Sequence, residues 1–316
     1  MPTRWCETIA SELDLLDKEI RSRVKSDDSE LNDVVDYILY PGGKRIRPAV
    51  VILSYLASGG KDVRKVIPLA AAIELIHSGT LVHDDMNDTG SMRRGKLATH
   101  LKYGDLKAIV AGDYLFVKAY DIGSEYPPIV MKLTAEICSK LAEGEFAQNR
   151  HLQDFKTDES DYLAIVKKKT ALPLSLAARV GALIAKGGLE EPLGQYGYNI
   201  GIAFQISDDI LDVAGDMKIT KKTTALDIRL GSPNILIIRA LETSPRKEEM
   251  LALLTRPIPE VKRAKAMILG TDALAYARKK AENYAAKAKR AIDGIPRNRY
   301  LEAMDDMADF ITKRNE

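Results

Sequence analysis

Residues 66–88 read VIPLAAAIELIHSGTLVHDDMND, and this stretch decides the fold. From Val66 to Leu81 the apolar residues recur at helical spacing, which marks a helix with a buried face rather than a strand. The run closes on Asp84-Asp85-Met86-Asn87-Asp88. On a helix the first and fifth residues of that cluster lie one turn apart on the same face, so two carboxylates converge at the end of an apolar rod. Like charges that close destabilise a helix unless a cation sits between them. Mg²⁺ suits the pattern, because it takes one or two carboxylates and completes its octahedron with water and phosphate oxygens.

Working outward, the same periodicity fills Ile129–Phe146, Leu163–Ile184 and Leu193–Val213, while period-two alternation is nearly absent. The expected class is all-α. Breaks fall at Pro41-Gly42-Gly43, Gly59-Gly60, Gly123 to Pro128, Gly187-Gly188, Gly215 to Thr224 and Pro257 to Pro259. None is long enough for an interdomain linker, so residues 1–316 are expected to form a single large helical bundle. Asp272 to Lys313, rich in Ala, Lys and Glu, reads as amphipathic surface helices. With 47 basic and 45 acidic residues the formal charge is +2, too small a field to suggest nucleic acid or an anionic membrane as partner. Cys6 and Cys138 fit neither a disulfide framework nor a zinc site. Glu74 and Arg179 interrupt the two most apolar runs, which excludes an integral membrane helix there, and the start MPTRWCETIASELD lacks a secretory pattern, so a cytoplasmic location is expected.

A second acidic cluster, Phe204-Gln205-Ile206-Ser207-Asp208-Asp209-Ile210-Leu211-Asp212, repeats the DDxxD spacing at the end of another apolar helix. Asp305-Asp306-Met307-Ala308-Asp309 repeats it again, but without an apolar helix before it or a basic element after it. That third copy is expected to be a solvated helix face. The basic residues alternate with the first two clusters. Gly42-Gly43-Lys44-Arg45-Ile46-Arg47-Pro48 precedes the first, Arg93-Arg94-Gly95 follows it, Lys167-Lys168-Lys169-Thr170 is expected to open an apolar helix, and Lys221-Lys222 follows the second. Arginine forks and helix starts both bind phosphate oxygens, so the set points to substrates carrying diphosphates. No P-loop or dinucleotide glycine pattern is present.

In order and approximate spacing, GGKRIRP, IHSGTLVHDDMND, RRG, KKT and FQISDDILD resemble the trans-isoprenyl diphosphate synthases, over roughly residues 40 to 240. The resemblance implies antiparallel helices around a deep central cavity, and condensation of an allylic diphosphate with isopentenyl diphosphate. It implies Mg²⁺, three ions with substrate bound, held directly by Asp84, Asp88 and Asp208, with Asp85, Asp209 and Asp212 in support. Arg93, Lys169 and Lys222 match positions that hold the allylic diphosphate. Lys44, Arg47, His77 and Arg94 match those that hold isopentenyl diphosphate, while Thr170 and Gln205 line the reacting centre. His83 is expected to orient aspartate carboxylates rather than to act as a base. A homodimer is implied by the resemblance alone.

The chain departs from the family pattern at three places: Ala225 stands where glycine is usual, Ser232 where lysine is usual, and Leu97 where proline is common. Three readings follow. One is an active elongating synthase; another is a catalytically weak or regulatory subunit of a heteromeric synthase; the third is a cyclase using one allylic diphosphate, against which GGKRIRP argues. Product length is read from the helix below Asp84. Gly79, with Thr80 beside it, stands five residues before that aspartate, where short-chain members carry a bulky aromatic. The cavity is therefore expected to continue and the product to reach geranylgeranyl length or more, with Phe116 or Tyr120 as a deeper floor.

Overall fold

The computed structural model describes residues 4–40, 43–88, 90–93, 95–215, 225–256 and 260–313. Helical periodicity is realised almost throughout. Short helices α1 (Arg4–Thr8), α2 (Ala10–Arg23), α3 (Ser29–Leu39) and α4 (Ile46–Ala57) lead to the long α5 (Ile67–Asn87). A two-residue hairpin, β1 (Met92–Arg93) with β2 (Lys96–Leu97), supplies the only strands among the described residues. Then come α6 (Thr99–Tyr103), α7 (Asp105–Ser124), α8 (Pro128–Arg150), α9 (Glu159–Val166), a π-helical turn (Lys167–Ala171), α10 (Leu172–Ala185) and α11 (Glu190–Ala214). The chain ends with α12 (Leu226–Leu230), α13 (Ile235–Thr243), α14 (Lys247–Leu254), α15 (Val261–Leu269), α16 (Ala273–Ile292) and α17 (Arg299–Lys313). The fold is all-α, as the periodicity requires.

The chain divides into two compact units. Unit 1 comprises Met1–Ala135, Leu176–Gly194 and Arg297–Met304. Its centre is α5, packed against α7, α2 and α4. Helix α5 is buried from Ile67 to Leu75 almost without interruption, including Glu74, whose partner is described below. Close contact with α7 depends on paired glycines: a Cβ on Gly79 would lie 3.0 Å from the Gly112 carbonyl, and one on Gly112 would lie 2.4 Å from His83 Nε2. Unit 2 comprises Glu136–Ser175, Gln195–Pro296 and Asp305–Glu316. Its core joins Ile206, Ile210 and Val213 of α11 to Ile235, Leu236 and Ile237 of α13 and to Met250 and Leu253 of α14. Helix α16 enters this core through Ala273, Ala277 and Ala281, and its alanine stripe leaves the lysines outside. That is the amphipathic pattern expected of the C-terminal region.

Two segments differ from what their sequences predict. The lysines of the KKKT segment do not open a helix, because α9 runs through the π-helical turn into α10 and the Leu172 N–H bonds back to the Lys167 carbonyl. Their backbone N–H groups are spent inside the helix, so anion binding there falls to the side chains. The third DDxxD is half-buried rather than solvated: Met307 and Ala308 face the core, and Asp309 is ion-paired with Lys289 of α16.

Candidate active site

In the first acidic motif the helix assigns each carboxylate its direction. Asp84 and Asp88 lie half-buried one turn apart, and the Asp88 N–H closes the last turn on the Asp84 carbonyl at 2.8 Å. Asp85 turns inward, 7% exposed, and accepts a hydrogen bond of 2.6 Å from Arg93 Nε. Arg93 reaches it because the chain doubles back in the β1–β2 hairpin, where Gly95 takes a left-handed φ of 78°. Arg94 lies outside the described residues. His83 is placed differently from its expectation. Its Nε2 is 3.4 Å from the Ile109 carbonyl and 3.8 Å from Asp113, both on α7, because Gly112 opens a slot for the ring there and Phe116 packs against it.

The basic turn before α4 comes to the same helix α5. Arg45 adopts the left-handed conformation, φ 48°, and turns its guanidinium inward to Glu74 at 2.6 Å, to the Leu39 carbonyl at 3.2 Å and to Asp17 at 3.3 Å. Lys44 before it is exposed. Two residues further on, Arg47 donates to His77 Nε2 at 3.0 Å. Arginine has no acceptor, so His77 accepts and carries its proton on Nδ1. Gly79 faces Phe116, whose ring carbons lie 3.2 Å from where its Cβ would stand, and the Thr80 hydroxyl donates to the His77 carbonyl at 2.8 Å. Beyond the level of Phe116, a small apolar cavity lies between Ile73 and Ile76 of α5, Ala119 and Tyr120 of α7, and Val130 and Met131 of α8.

The second motif is built around the π-helical turn. Gly144 of α8 and Gly201 of α11 flank it; a Cβ at Gly201 would lie 2.5 Å from the Ala171 Cα and one at Gly144 2.9 Å from the Lys168 and Lys169 side chains. Lys169 is held by Glu145 and by Gln148, each at 2.7 Å. The Thr170 hydroxyl donates to Gln205 Oε1 at 2.9 Å, Gln205 Nε2 donates to Asp209 Oδ1 at 3.0 Å, and the Tyr162 hydroxyl donates to Asp209 Oδ2 at 2.6 Å. Burial pushes the Asp209 carboxyl up to about 7 although both hydrogen bonds pull the other way. Asp212 caps α12, accepting the backbone N–H groups of Leu226 at 3.0 Å and Asp227 at 3.1 Å. Just before them Ala225 takes φ 58°, a left-handed conformation that explains why glycine is the easier residue at that position. The Ser232 N–H bonds to the Asp227 carbonyl at 2.8 Å. Lys222 lies outside the described residues.

Sequence reasoning missed Arg45 and Glu74 as a pair, Glu145 and Gln148 as holders of Lys169, and Tyr162. Only Glu74 announced itself, as a charge inside an apolar run. The donor set around both motifs consists of carboxylate oxygens, the hard ligands that Mg²⁺ prefers. Among the described residues no three His, Cys, Asp or Glu side chains form a ready-made metal cluster. One or two carboxylates completed by water and phosphate is the arrangement Mg²⁺ takes.

An all-helical chain with two acidic motifs, each ending a long helix, is of the isoprenoid synthase class, and its structural neighbours agree. A polyprenyl synthase from Caulobacter crescentus CB15, solved in complex with calcium and isoprenyl diphosphate, superposes with a TM-score of 0.94 at 32% identity, covering 99% of this chain and 98% of that one. A short chain isoprenyl diphosphate synthase of Methanocaldococcus jannaschii is 33% identical over 96% of this chain and 94% of its own length. A geranylfarnesyl diphosphate synthase of Aeropyrum pernix is 33% identical over 95% of this chain and 99% of its own. The model of the family described as polyprenyl synthetase matches residues 28–269. The chain belongs to the polyprenyl synthetase family and is a prenyltransferase. No helix among the described residues is long and apolar enough to cross a membrane.

Proposed function

We propose that this chain is a Mg²⁺-dependent synthase that condenses an allylic diphosphate with isopentenyl diphosphate, head to tail, into an all-trans polyprenyl diphosphate of geranylgeranyl length or longer. The observation that carries this reading is the 3.0 Å contact of Arg47 with His77, which joins the GGKRIRP turn to the first acidic helix. With Lys44 and Arg94 they make a second diphosphate site, which an enzyme ionising a single allylic substrate does not need. Arg93, Lys169 and Lys222 hold the allylic diphosphate. Of these, Arg93 and Lys169 are kept in place beforehand by Asp85 and Glu145. Asp84, Asp88 and Asp208 are the proposed Mg²⁺ ligands. Asp85, Asp209 and Asp212 are given the supporting role, and their contacts with Arg93, with Tyr162 and Gln205, and with backbone N–H groups suit it.

When bound, Mg²⁺ supplies Lewis-acid neutralisation of the leaving diphosphate. The chain's own residues do the rest. Arg93 and Lys169 stabilise charge as it accumulates on the departing oxygens. Lys44, Arg47 and His77 orient the double bond of the second substrate toward the allylic carbon. Thr170 and Gln205 line the position where positive charge develops. The diphosphate itself takes the proton lost afterwards, so no side chain needs to be a strong base.

The site-bearing helices are read as one domain acting as a homodimer. Helix α7 supports the dimer because its outer face, although it carries Asp113, exposes five large apolar side chains: Leu106, Ile109, Val110, Val117 and Tyr120 are 42–75% exposed. The deciding assay incubates purified protein with Mg²⁺ and labelled isopentenyl diphosphate, with and without an allylic primer. Elongation only with primer is expected. No product would favour the regulatory-subunit reading, and turnover of the primer alone would favour a cyclase.

A further inference from the structure

Resting on the roles proposed above for Thr170 and Gln205, we infer that Tyr162 is a positioning residue for the reacting centre: through Asp209 it fixes which way the Gln205 amide points and hence what the Thr170 hydroxyl offers to substrate. Tyr162 is 6% exposed, lies midway along α9 outside every recognised motif, and spends its phenolic proton on Asp209 Oδ2 at 2.6 Å. The other oxygen of Asp209, a residue 4% exposed, accepts from Gln205 Nε2 at 3.0 Å. An amide beside a carboxylate has one acceptable orientation, because the flipped form would set carbonyl oxygen against carboxylate oxygen. Gln205 Oε1 is thereby turned to Thr170 Oγ1 at 2.9 Å, and Thr170 has only one proton to give. Its hydroxyl is left with lone pairs alone for whatever lies next to it. An oxygen held as an acceptor is what a developing allylic cation requires, whereas a hydroxyl free to rotate could present its proton instead.

The order of the relay follows from burial. Without Tyr162 the buried Asp209 carboxylate loses one of its two side-chain donors, and a buried acceptor left short of a partner reorganises. The group free to move toward it is Gln205, the less buried of the two remaining members. Such movement would withdraw Oε1 from Thr170 without touching any residue proposed to hold a diphosphate. The consequence belongs to kcat, not to KM.

The test measures steady-state kinetics of Tyr162→Phe, Gln205→Ala and the double variant, together with their melting temperatures. Phenylalanine fills the same space, so the expected result is a fall in kcat of ten-fold or more with both KM values within about three-fold of wild type. The double variant is expected to be no slower than Gln205→Ala alone, because the tyrosine has nothing left to position. A merely structural tyrosine would lower the melting temperature, leave kcat near wild type at a permissive temperature, and add its effect to that of Gln205→Ala; that result overturns the inference. If Gln205→Ala is itself fully active, the reading of the reacting centre fails and the inference falls with it. An active-site reading that survives while Tyr162→Phe stays within two-fold of wild-type kcat overturns the inference alone. Should Tyr162→Phe not fold, Tyr162→His, whose ring can still donate a proton to Asp209, takes its place: kcat nearer to wild type than that of Tyr162→Leu is expected, and equal losses in both variants would overturn the proposal.

Discussion

Arg45 sits between two residues assigned to substrate, yet it points the other way. Its guanidinium and the Glu74 carboxylate are 9% and 2% exposed, and Asp17 and the Leu39 carbonyl complete its contacts. Removing one partner of a buried ion pair leaves an unpaired charge, which costs about 3–5 kcal/mol. Arg45→Ala is therefore expected to lose about that much in urea unfolding, and to raise the KM for isopentenyl diphosphate because Lys44 and Arg47 flank the loosened turn. An unfolding free energy within about 1 kcal/mol of wild type would refute this, being the range of a surface pair. The acidic motifs give a second residue-level contrast. Asp84→Ala and Asp208→Ala are expected to reduce turnover by orders of magnitude. Asp309→Ala, which removes a partly exposed partner of Lys289, is expected to leave it nearly unchanged. Comparable losses at all three positions would show that the third DDxxD had been dismissed wrongly. How much of the site was legible follows from these residues. Charged side chains at motif spacing could be read directly, and Glu74 was visible as an anomaly that demands a cation. Tyr162 could not be read, because a buried tyrosine in an apolar helix looks the same whether or not its hydroxyl has work to do.

At the level of elements, periodicity located the helices but not the change of pitch inside one. A π-turn is one residue wider than an α-turn, and nothing in KKKTA signals it. What the sequence leaves unsaid is the packing, with Gly144 and Gly201 on neighbouring helices lying close against the turn. Gly201→Ala would place a methyl 2.5 Å from the Ala171 backbone, so the helices must separate. The expected outcome is a loss of about 1–3 kcal/mol, as overpacking gives, with a larger fall in kcat than in melting temperature because Thr170 moves with the turn. Equal activity and stability would mean the turn can shift without cost. The α5–α7 contact yields the prediction on product length. Residue 79 lies about 7.5 Å below Asp84 along the helix and residue 76 about 12 Å below it. The Phe116 ring fills the space beside Gly79, and past it only a small apolar pocket of about 10 Å³ lies around Ile76 and Ile73. Phe116→Ala is thus expected to lengthen the product distribution if that ring is the floor, whereas Gly79→Phe, whose Cβ already meets the Gly112 carbonyl at 3.0 Å, is expected to shorten it while pressing α5 away from α7 and lowering the melting temperature. Chromatography of dephosphorylated products reads both. A wild-type enzyme that stops at farnesyl diphosphate, or unchanged products in Gly79→Phe, would sink the cavity reading.

For the whole molecule, the class could be read because an all-α chain repeats a single signal, apolar residues at helical spacing, in every long segment. What that signal does not separate is a face buried within the chain from a face buried between chains, since both are simply apolar. Helix α7 is where the two kinds of face can be told apart by experiment. One side, carrying Ala108, Ala111, Leu115, Ala119 and Ile122, is fully covered inside unit 1. The opposite side carries Leu106, Val110 and Val117 at 75%, 50% and 64% exposure, with Ile109 and Tyr120 beside them. Asp113, 63% exposed, stands among them, so the outer face is mixed, yet five large apolar side chains on one exposed face favour a covering partner. Full burial of side chains of this kind contributes roughly 1.5–3 kcal/mol each, so several of them on each copy can hold a dimer. A two-fold interface uses the same patch on both copies, so one substitution acts twice. Val117→Glu would bring two further carboxylates toward a region where Asp113 already stands, and like charges there repel. The wild-type chain is therefore expected to show twice the chain mass by light scattering at micromolar concentration, and Val117→Glu to show the mass of one chain with its helical circular dichroism intact. If the wild-type chain runs as a monomer, or if Val117→Glu remains a dimer, α7 does not form the interface.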